Sequence, residues 1–469
     1  MIIYQLLSRV YGATPTKRCG TFSDINDDEI ERIKSLSVSH IWLTGVIRHS
    51  GWRDTNPAVT KGYAGSPYAI VDYYDIDPDL ADNETNRMEE FEKTVERIHN
   101  HGVKVIIDFV PNHLAREYKG DFTDDNFYIL PNQKFVAPTE NGDPYYDPYY
   151  EFPAKATGND VFSPTPSLND WYDTVKLNYE NRDTWHKMLK IMQFWCAKGV
   201  DGFRCDMAEM VPVEFWRWAI AELRKSFNVT MIAEIYQPNL YQSYVEAGFN
   251  YLYDKVGLYN TLENIYRYGQ RADTISDVWK SLNGLDDNML RFMENHDEVR
   301  VASRFFMQKQ ENAFPFVALS ALMNRGPFMI YNGQEYGEDA ADSDNGRTSI
   351  FDYTYMPSMI YRDVPWRVFT FDFYKKLMHF RETHPAILQG AFYDLMWANP
   401  WYNNFDPQYV YAFLRYYGDD KLLIVINFNL NEARNVTVAI PEDARNLIGG
   451  CNEKYDLVLN PCDIKIIEL

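Results

Sequence analysis

The stretch from Val103 to His113 reads VKVIIDFVPNH. Its first part is a nearly continuous apolar run, which is typical of a strand buried on both faces of a parallel sheet. The run contains one carboxylate, Asp108, and ends in the polar pair Asn112 and His113. The pattern predicts a buried strand with polar side chains at its carboxyl end.

Similar short apolar runs alternate with helical patterns over roughly the first 385 residues. This alternation predicts βαβ units around a parallel sheet, and eight units fit a closed barrel. The predicted fold class is therefore α/β, with a (β/α)8 TIM barrel at its centre. We expect its strands near residues 2–7, 39–44, 103–109, 201–206, 230–235, 249–253, 289–294 and 327–331.

Two regions depart from this alternation. After the third strand no barrel helix is predicted until about 183–198, and the residues between are dense in Tyr, Pro, Asn and Asp, as in 143–150. A connection of that length is usually functional, so we expect a small inserted domain at the barrel mouth. From residue 386 onward, alternating strands separated by turns predict a C-terminal antiparallel β-sandwich. The predicted domains are a barrel over 1–113 and 181–385, an inserted domain over 114–180 and a sandwich over 386–469.

Composition excludes several function classes. The formal net charge is −21, from 46 basic and 67 acidic residues, which would repel a phosphate backbone and argues against a nucleic-acid partner. No apolar run approaches the ~18 residues of a membrane span, so no membrane partner is expected. Five scattered cysteines without a C-x-x-C pair argue against a disulfide framework or a zinc site.

Two further features bear on substrate and location. Aromatic residues make up 16% of the chain, and their ring faces suit stacking against sugars, although an aromatic-rich core would give the same composition. The first residues, Met1–Leu7, are too short for a secretory h-region and read as a buried strand. The default expectation is a cytoplasmic protein, with export after removal of a signal as the alternative.

Polar residues follow other predicted strands as well. Arg204 and Asp206 lie in the fourth strand, Glu234 ends the fifth, and His296 and Asp297 follow the seventh. Because the carboxyl ends of barrel strands form the open face, we expect these side chains to converge with His113. A structural salt bridge would explain any one of them, but burying so many charges without a task would be costly.

These motifs resemble the four signature regions of the α-amylase family, glycoside hydrolase family 13. The regions occur in the family's order and on the expected strands, and the resemblance covers nearly all of the chain. It implies that Asp206 is the nucleophile, Glu234 the general acid/base and Asp297 the transition-state stabiliser. The matching stretches are Asp108–His113, Gly202–Asp206, Glu234 and Asn295–Asp297.

The resemblance also implies a set of substrate-binding residues. His113 and His296 are expected to hydrogen-bond the sugar that is cleaved, and Tyr68 to stack beneath it. Arg204 is predicted as a fourth substrate-binding residue. The structural alternatives are rim histidines paired to the backbone and a core tyrosine. Asp108 is expected to order Arg204 rather than perform chemistry.

The chemistry of these residue types supports the same roles. Retaining cleavage needs one ionised carboxylate as nucleophile and one protonated carboxyl as acid. Arg204 lies two residues before Asp206, on the same side of the strand, so its charge should lower the pKa of Asp206. The charge of Asp206 should in turn raise the pKa of Glu234. We expect the two carboxyls to lie about 5–5.5 Å apart.

One family feature is missing from this sequence. Many members bind a structural calcium between the barrel and the inserted domain, and Asn112 matches one ligand. Where the family has an Asp and a His as further ligands, this chain has Lys176 and Met210. Because calcium takes about six to eight oxygen ligands, we expect no metal or cofactor, with the charge of Lys176 replacing the ion.

The predicted function is a retaining α-glycosidase that hydrolyses α-1,4 bonds in glucans or malto-oligosaccharides through a glycosyl-Asp206 intermediate. Its partner would be an oligosaccharide or polysaccharide substrate. One alternative is a glucanotransferase or disaccharide isomerase with the same site, and another is a non-catalytic carbohydrate-binding protein. Ala69 stands where family members that trim chain ends often carry an Asp, which favours an open cleft and internal cleavage.

Overall fold

Eight parallel strands form the centre of the structure, a computed structural model that describes residues 1–138 and 149–469. Part of the tyrosine- and proline-rich stretch noted above, 143–148, lies outside the described residues. The barrel strands are β1 (Ile2–Leu7), β2 (His40–Thr44), β3 (Lys104–Phe109), β4 (Gly202–Cys205), β5 (Thr230–Ala233), β6 (Tyr251–Tyr253), β7 (Met289–Leu290) and β8 (Phe328–Tyr331).

The sheet closes on itself and confirms the predicted fold class. Strands β1 to β7 pair in chain order, and β8 pairs with β1. The remaining gap is bridged by Arg291, directly after β7, which pairs in parallel with Phe328 of β8. The strand predicted over 289–294 is therefore too long, because beyond Leu290 the chain keeps only this single bridge.

Alternation along the strands separates the barrel interior from its outer wall. The inward side chains of one layer form a single apolar cluster, whose members include Ile3, Trp42, Ile106, Ile232, Tyr253, Leu290 and Met329. In a strand, side chains two residues apart point to the same side. The next inward residues after Ile106 and Ile232 are Asp108 and Glu234. The two-residue alternation of the strands therefore places these carboxylates at the barrel mouth.

Helices surround the barrel. The predicted helix over 183–198 is present as Arg182–Ala197, and the side chain of Asn181 accepts a hydrogen bond from the N–H of Asp183 at its start. No helix in the described part of the chain is both long and apolar enough to cross a lipid bilayer. The helices are α1 (Asp27–Lys34), α2 (Arg87–Asn100), α3 (Arg182–Ala197), α4 (Val213–Leu223), α5 (Tyr241–Ala247), α6 (Asn260–Tyr268), α7 (Thr274–Ser281), α8 (Gln310–Leu322), α9 (Pro357–Ile360), α10 (Pro365–Thr383), α11 (Pro385–Leu388) and α12 (Glu442–Leu447).

Two long connections rise from the barrel mouth. The one after β2 contains an antiparallel pair, Ile47–His49 with Ile70–Ile76, which the sequence reading did not predict. In its described residues, the one after β3 contains three short antiparallel pairs, as expected for an inserted domain, although the boundaries 114–180 stay a prediction. These pairs are His113–Ala115 with Thr174–Lys176, Ile129–Leu130 with Ala154–Lys155, and Phe135–Val136 with Tyr150–Glu151.

The C-terminal region is an antiparallel β structure. One sheet has four strands. A separate pair of strands lies in sequence between the third and fourth strands of that sheet. The buried guanidinium of Arg415 joins the larger sheet to the barrel side, where it donates hydrogen bonds to the carbonyls of Met323 and Ile387. The four-stranded sheet contains Ala391–Asp394, Val410–Tyr417, Asp420–Asn427 and Ile464–Glu468, and the pair is Arg434–Ala439 with Lys454–Leu459.

Candidate active site

Arg204 lies at the centre of the candidate site and is fully buried. Its Nη1 is 2.6 Å from Oδ1 of Asp206 and 3.6 Å from Oδ1 of Asp108. Its Nη2 is 2.9 Å from Oε2 of Glu234, as an ion pair that is not aligned as a hydrogen bond. A buried guanidinium needs such partners to offset its desolvation. Arg204 therefore links the carboxylates of three neighbouring strands.

Asp206 and Glu234 share this cation, and burial raises the pKa of both carboxyls. Arg204 was expected to lower the pKa of Asp206 below its ordinary value; it does oppose the rise, but desolvation is the larger effect. The charge of Asp206 raises the pKa of Glu234 further, whereas a hydrogen bond from Glu234 lowers the pKa of Asp206. A single proton shared by the pair therefore favours Glu234 and leaves Asp206 ionised.

Two hydrogen bonds fix the orientation of the Glu234 carboxyl. Its Oε1 accepts from the hydroxyl of Tyr236 at 2.6 Å, and its Oε2 accepts from the backbone N–H of Met207 at 2.6 Å. Met207 has a left-handed backbone with φ of 43°, an uncommon conformation for a side chain of this kind. Such strained residues gather at functional sites, where the surrounding structure holds them in place.

His296 lies beneath the cavity as a neutral ring. Its Nδ1 accepts a hydrogen bond of 2.7 Å from the amide of Gln5, which leaves the proton on Nε2. That Nε2 contacts the hydroxyl of Tyr68 and lies 3.1 Å from Oδ2 of Asp297. Burial, with the charge of Arg204, holds the pKa of His296 well below its usual range.

Asp297 stands deep in the barrel mouth but faces the open cavity. Burial and, next, the charge of Glu234 raise its pKa. At the same time 39% of the side chain is exposed, so water in the cavity reaches the carboxylate and moderates that rise. Asp297 is the most open of the three predicted catalytic carboxylates.

His113 borders the nucleophile from the end of β3. Its Nε2 is 3.9 Å from Oδ2 of Asp206, and its Nδ1 accepts from the amide of Asn112 at 3.0 Å. Burial, followed by the charge of Lys176, lowers the pKa of His113 to about 3. The ring is therefore neutral, with its donor on Nε2.

One cavity of about 280 Å³ brings most of the predicted residues together. Tyr68, His113, Asp206, Glu234 and Asp297 line it. Arg204 and His296, the other two predicted substrate-binding residues, are not among the lining residues; Arg204 contacts Asp206 and His296 contacts Tyr68. Their role in substrate binding stays a prediction.

Several lining residues were missed. Tyr236 could have been found, because it lies two residues after Glu234 and so points to the same side of an extended chain. Ala69, by contrast, does not line the cavity but packs in an apolar cluster with Val71 and Ala115, and the internal cleavage expected from it stays a prediction. The missed lining residues are Lys61, Ser66, Trp171, Asp173, Thr174, Met207, Tyr236, Ile350 and Phe351.

The place of the family's calcium site contains the ammonium of Lys176. Its Nζ donates to Oδ1 of Asn112 at 2.5 Å and to the carbonyl of Met210 at 3.4 Å, and lies 2.9 Å from Oδ1 of Asp160. A fixed cation among these oxygens leaves a donor set that does not fit calcium, which needs about six to eight oxygen ligands of its own. We derive no catalytic step from a metal.

Comparison with known proteins agrees with this architecture. The family model of the alpha-amylase catalytic domain matches residues 5–358. Alpha-amylase 3 of Dictyoglomus thermophilum is 23% identical over 100% of this chain and 93% of its own length. A cyclomaltodextrinase of Thermoanaerobacter pseudethanolicus is 25% identical over 85% of this chain and 62% of its own length.

A solved structure shows the same fold along the whole chain. The maltogenic alpha-amylase AmyB of Thermotoga neapolitana superposes with a TM-score of 0.70 and 25% identity, covering 100% of this chain and 96% of that protein. The family model alone spans well over half of the sequence. With its closed barrel and carboxylate-lined mouth, this chain belongs to the alpha-amylase family of glycoside hydrolases.

Proposed function

We propose that this enzyme is a retaining α-glycosidase that hydrolyses α-1,4 bonds in glucans or malto-oligosaccharides. The observation that carries the proposal is the guanidinium of Arg204, which contacts Asp206 and Glu234 at 2.6 and 2.9 Å within one cavity. The two carboxyls differ in their proton preference, as a nucleophile and an acid must. The relatives, named as amylases and a cyclomaltodextrinase, support an α-glucan substrate.

In the first step the bond between the anomeric carbon and the leaving oxygen breaks. Glu234 gives its proton to that oxygen, and Asp206 forms an ester bond to the anomeric carbon. Oδ1 of Asp206 is held by Arg204, so Oδ2 is the oxygen available for attack. Asp297 stabilises the positive charge that grows on the sugar ring in the transition state.

In the second step water resolves the intermediate. Glu234, now ionised, takes a proton from the water molecule as its oxygen attacks the anomeric carbon, and the ester bond to Asp206 breaks. Two inversions give net retention. The predicted separation of about 5–5.5 Å between the two carboxyls belongs to this mechanism.

Product analysis with maltoheptaose tests the reaction. Hydrolysis gives only shorter chains whose new reducing ends are first formed as α-anomers, which proton NMR detects. Longer products would instead identify a glucanotransferase. A panel of α-1,4, α-1,6 and α-1,1 glucosides then identifies the bond that is cleaved.

The variant Asp206→Ala tests the nucleophile. We expect turnover to fall by about 10⁴-fold or more, while calorimetry still detects binding of maltoheptaose. Turnover at the parent rate would overturn the assignment. Binding without turnover in the parent protein itself would favour a carbohydrate-binding protein on the same fold.

A further inference from the structure

Two charged side chains on the cavity wall have no part in the mechanism above. Lys61 belongs to the connection after β2, and Asp173 lies just before the strand Thr174–Lys176. Both line the cavity. The Nζ of Lys61 is 3.8 Å from Oδ1 of Asp173, which is too far for a hydrogen bond. The pair therefore faces the cavity without being closed on itself.

Asp173 is a buried carboxylate whose negative charge is only partly compensated by its neighbours. Its side chain is 2% exposed, and burial raises the pKa of its carboxyl. Within residues 1–138 and 149–469, this carboxylate accepts a hydrogen bond from its own backbone N–H but none from another side chain, and its nearest cation, Lys61, is 3.8 Å away. A buried carboxylate with a single backbone hydrogen bond can accept further ones, and a ligand hydroxyl would offset part of its desolvation cost.

The backbone around both residues is held in place. The carbonyl of Asp173 accepts a hydrogen bond of 3.0 Å from the N–H of Arg116. Near Lys61, the N–H of Ala64 donates to the carbonyl of Phe351 at 2.9 Å. Gly62, the residue after Lys61, has φ of 65°, and a Cβ at this position would meet the carbonyl oxygen of Phe351 at 2.3 Å. The wall is thus pre-organised, as a binding site requires.

The position of the pair indicates which sugar it meets. Glu234 on β5 must contact the leaving oxygen, so the leaving group lies on that side of Asp206. Lys61 and Asp173 come from the connections after β2 and β3, and β4 lies between β3 and β5 in the sheet. This order favours contact between the pair and the part of the substrate that stays attached to Asp206.

We propose that Lys61 and Asp173 form a clamp that binds two adjacent hydroxyls of the sugar retained on the enzyme, and thereby set substrate specificity. The inference rests on the proposed function. A sugar hydroxyl can accept from the ammonium while its neighbour donates to the carboxylate. Because the opposite charges of Lys61 and Asp173 offset one another, the clamp offers no net positive charge to a phosphorylated sugar and suits uncharged hydroxyls.

Single substitutions measure the clamp. Lys61→Met and Asp173→Asn keep side-chain size, and we expect each to lower kcat/KM for maltotetraose about 10- to 100-fold, mainly through KM. The controls Lys119→Met and Asp170→Asn remove the same groups from outside the cavity and should stay within twofold of the parent. Melting temperatures check that all four variants fold.

Substrate analogues separate clamping from a structural role. Maltotetraose analogues can each lack a single hydroxyl of the retained sugar. For the hydroxyl that Asp173 binds, removing it should lower kcat/KM in the parent enzyme but should lower it no further in Asp173→Asn. The clamp would be overturned if Asp173→Asn lowered kcat/KM equally for maltotetraose and for every analogue. Lys61→Met and Asp173→Asn variants with kcat/KM within twofold of the parent would overturn it too, as would a preference for a 6-phosphorylated analogue.

Failure of the clamp and failure of the proposed function give different results. If the parent enzyme cleaves no α-glucan, the proposed function fails. Calorimetry in the Asp206→Ala background still tests the clamp, because adding Asp173→Asn should weaken maltotetraose binding about tenfold or more. Unchanged affinity in that double variant would overturn the clamp.

Discussion

The hydroxyl of Tyr236 donates a hydrogen bond of 2.6 Å to Oε1 of Glu234. This bond favours the ionised form of the carboxyl and lowers its pKa, against the larger effect of burial, which raises it. Tyr236 thus adjusts how readily Glu234 releases its proton. In the reaction we propose, that release protonates the leaving oxygen.

Removing this hydroxyl should move the alkaline limb of the pH profile. Glu234 acts as an acid, so activity is lost as pH rises through its pKa. Tyr236→Phe removes an interaction that lowers this pKa, and the limb should therefore move to higher pH, by about one unit for a hydrogen bond to a charged group. The measurement is kcat/KM for maltotetraose across pH.

A matched control exists for this tyrosine. Tyr241 is also buried, and its hydroxyl has no hydrogen-bond partner in the described residues. Tyr241→Phe should leave the alkaline limb in place. An unchanged limb in Tyr236→Phe would show that the hydroxyl does not tune Glu234.

The acidic limb should report Asp206. Burial raises the pKa of Asp206 above its ordinary value of 3.8, and the nucleophile must be ionised. Activity should therefore rise with pH through a midpoint above 3.8 and fall again through the pKa of Glu234.

In Glu234→Gln the alkaline limb should disappear for an aryl glycoside, whose leaving group needs little protonation. A limb that persists in Glu234→Gln would assign the acid to another group.

Sequence reasoning located the parts of the site that follow strand periodicity. Asp206 and Glu234 end apolar runs, so their place at the barrel mouth follows from the fold. Lys61 and Asp173 lie on connections, where no period relates a residue to a face, and their approach depends on how two loops pack together. For Arg204, sequence spacing predicted the side of the strand on which it lies but not that its side chain is fully buried.

The planar, two-pronged guanidinium of Arg204 should matter more for kcat than its positive charge alone. A guanidinium can contact Asp206 and Glu234 with different nitrogens, whereas an ammonium is a single point charge. Arg204→Lys should therefore lower kcat about 10²-fold or more, with a smaller change in KM. Steady-state kinetics measure both values.

Arg291 provides the control for that substitution. It is another buried arginine of the barrel, whose Nε is 3.1 Å from Oδ2 of Asp254, and it does not line the catalytic cavity. Arg291→Lys should lower thermal stability but keep kcat within a few-fold of the parent. Equal losses of kcat in both variants would mean that Arg204 acts only through the stability of the barrel.

Lys176 should make the stability of this enzyme independent of calcium. Its side chain is 7% exposed, and its ammonium contacts Asn112 and Asp160. Lys176→Met leaves those oxygens without a cation and should lower the free energy of unfolding by about 1–3 kcal/mol, which calorimetry would record as a lower melting temperature.

Lys176→Asp instead adds a carboxylate to these oxygens, so calcium should raise its melting temperature and EDTA should reverse that rise. The control Lys187→Met removes a lysine paired with Asp183 and should not respond to calcium. A parent enzyme whose melting temperature falls in EDTA would contradict the role given to Lys176.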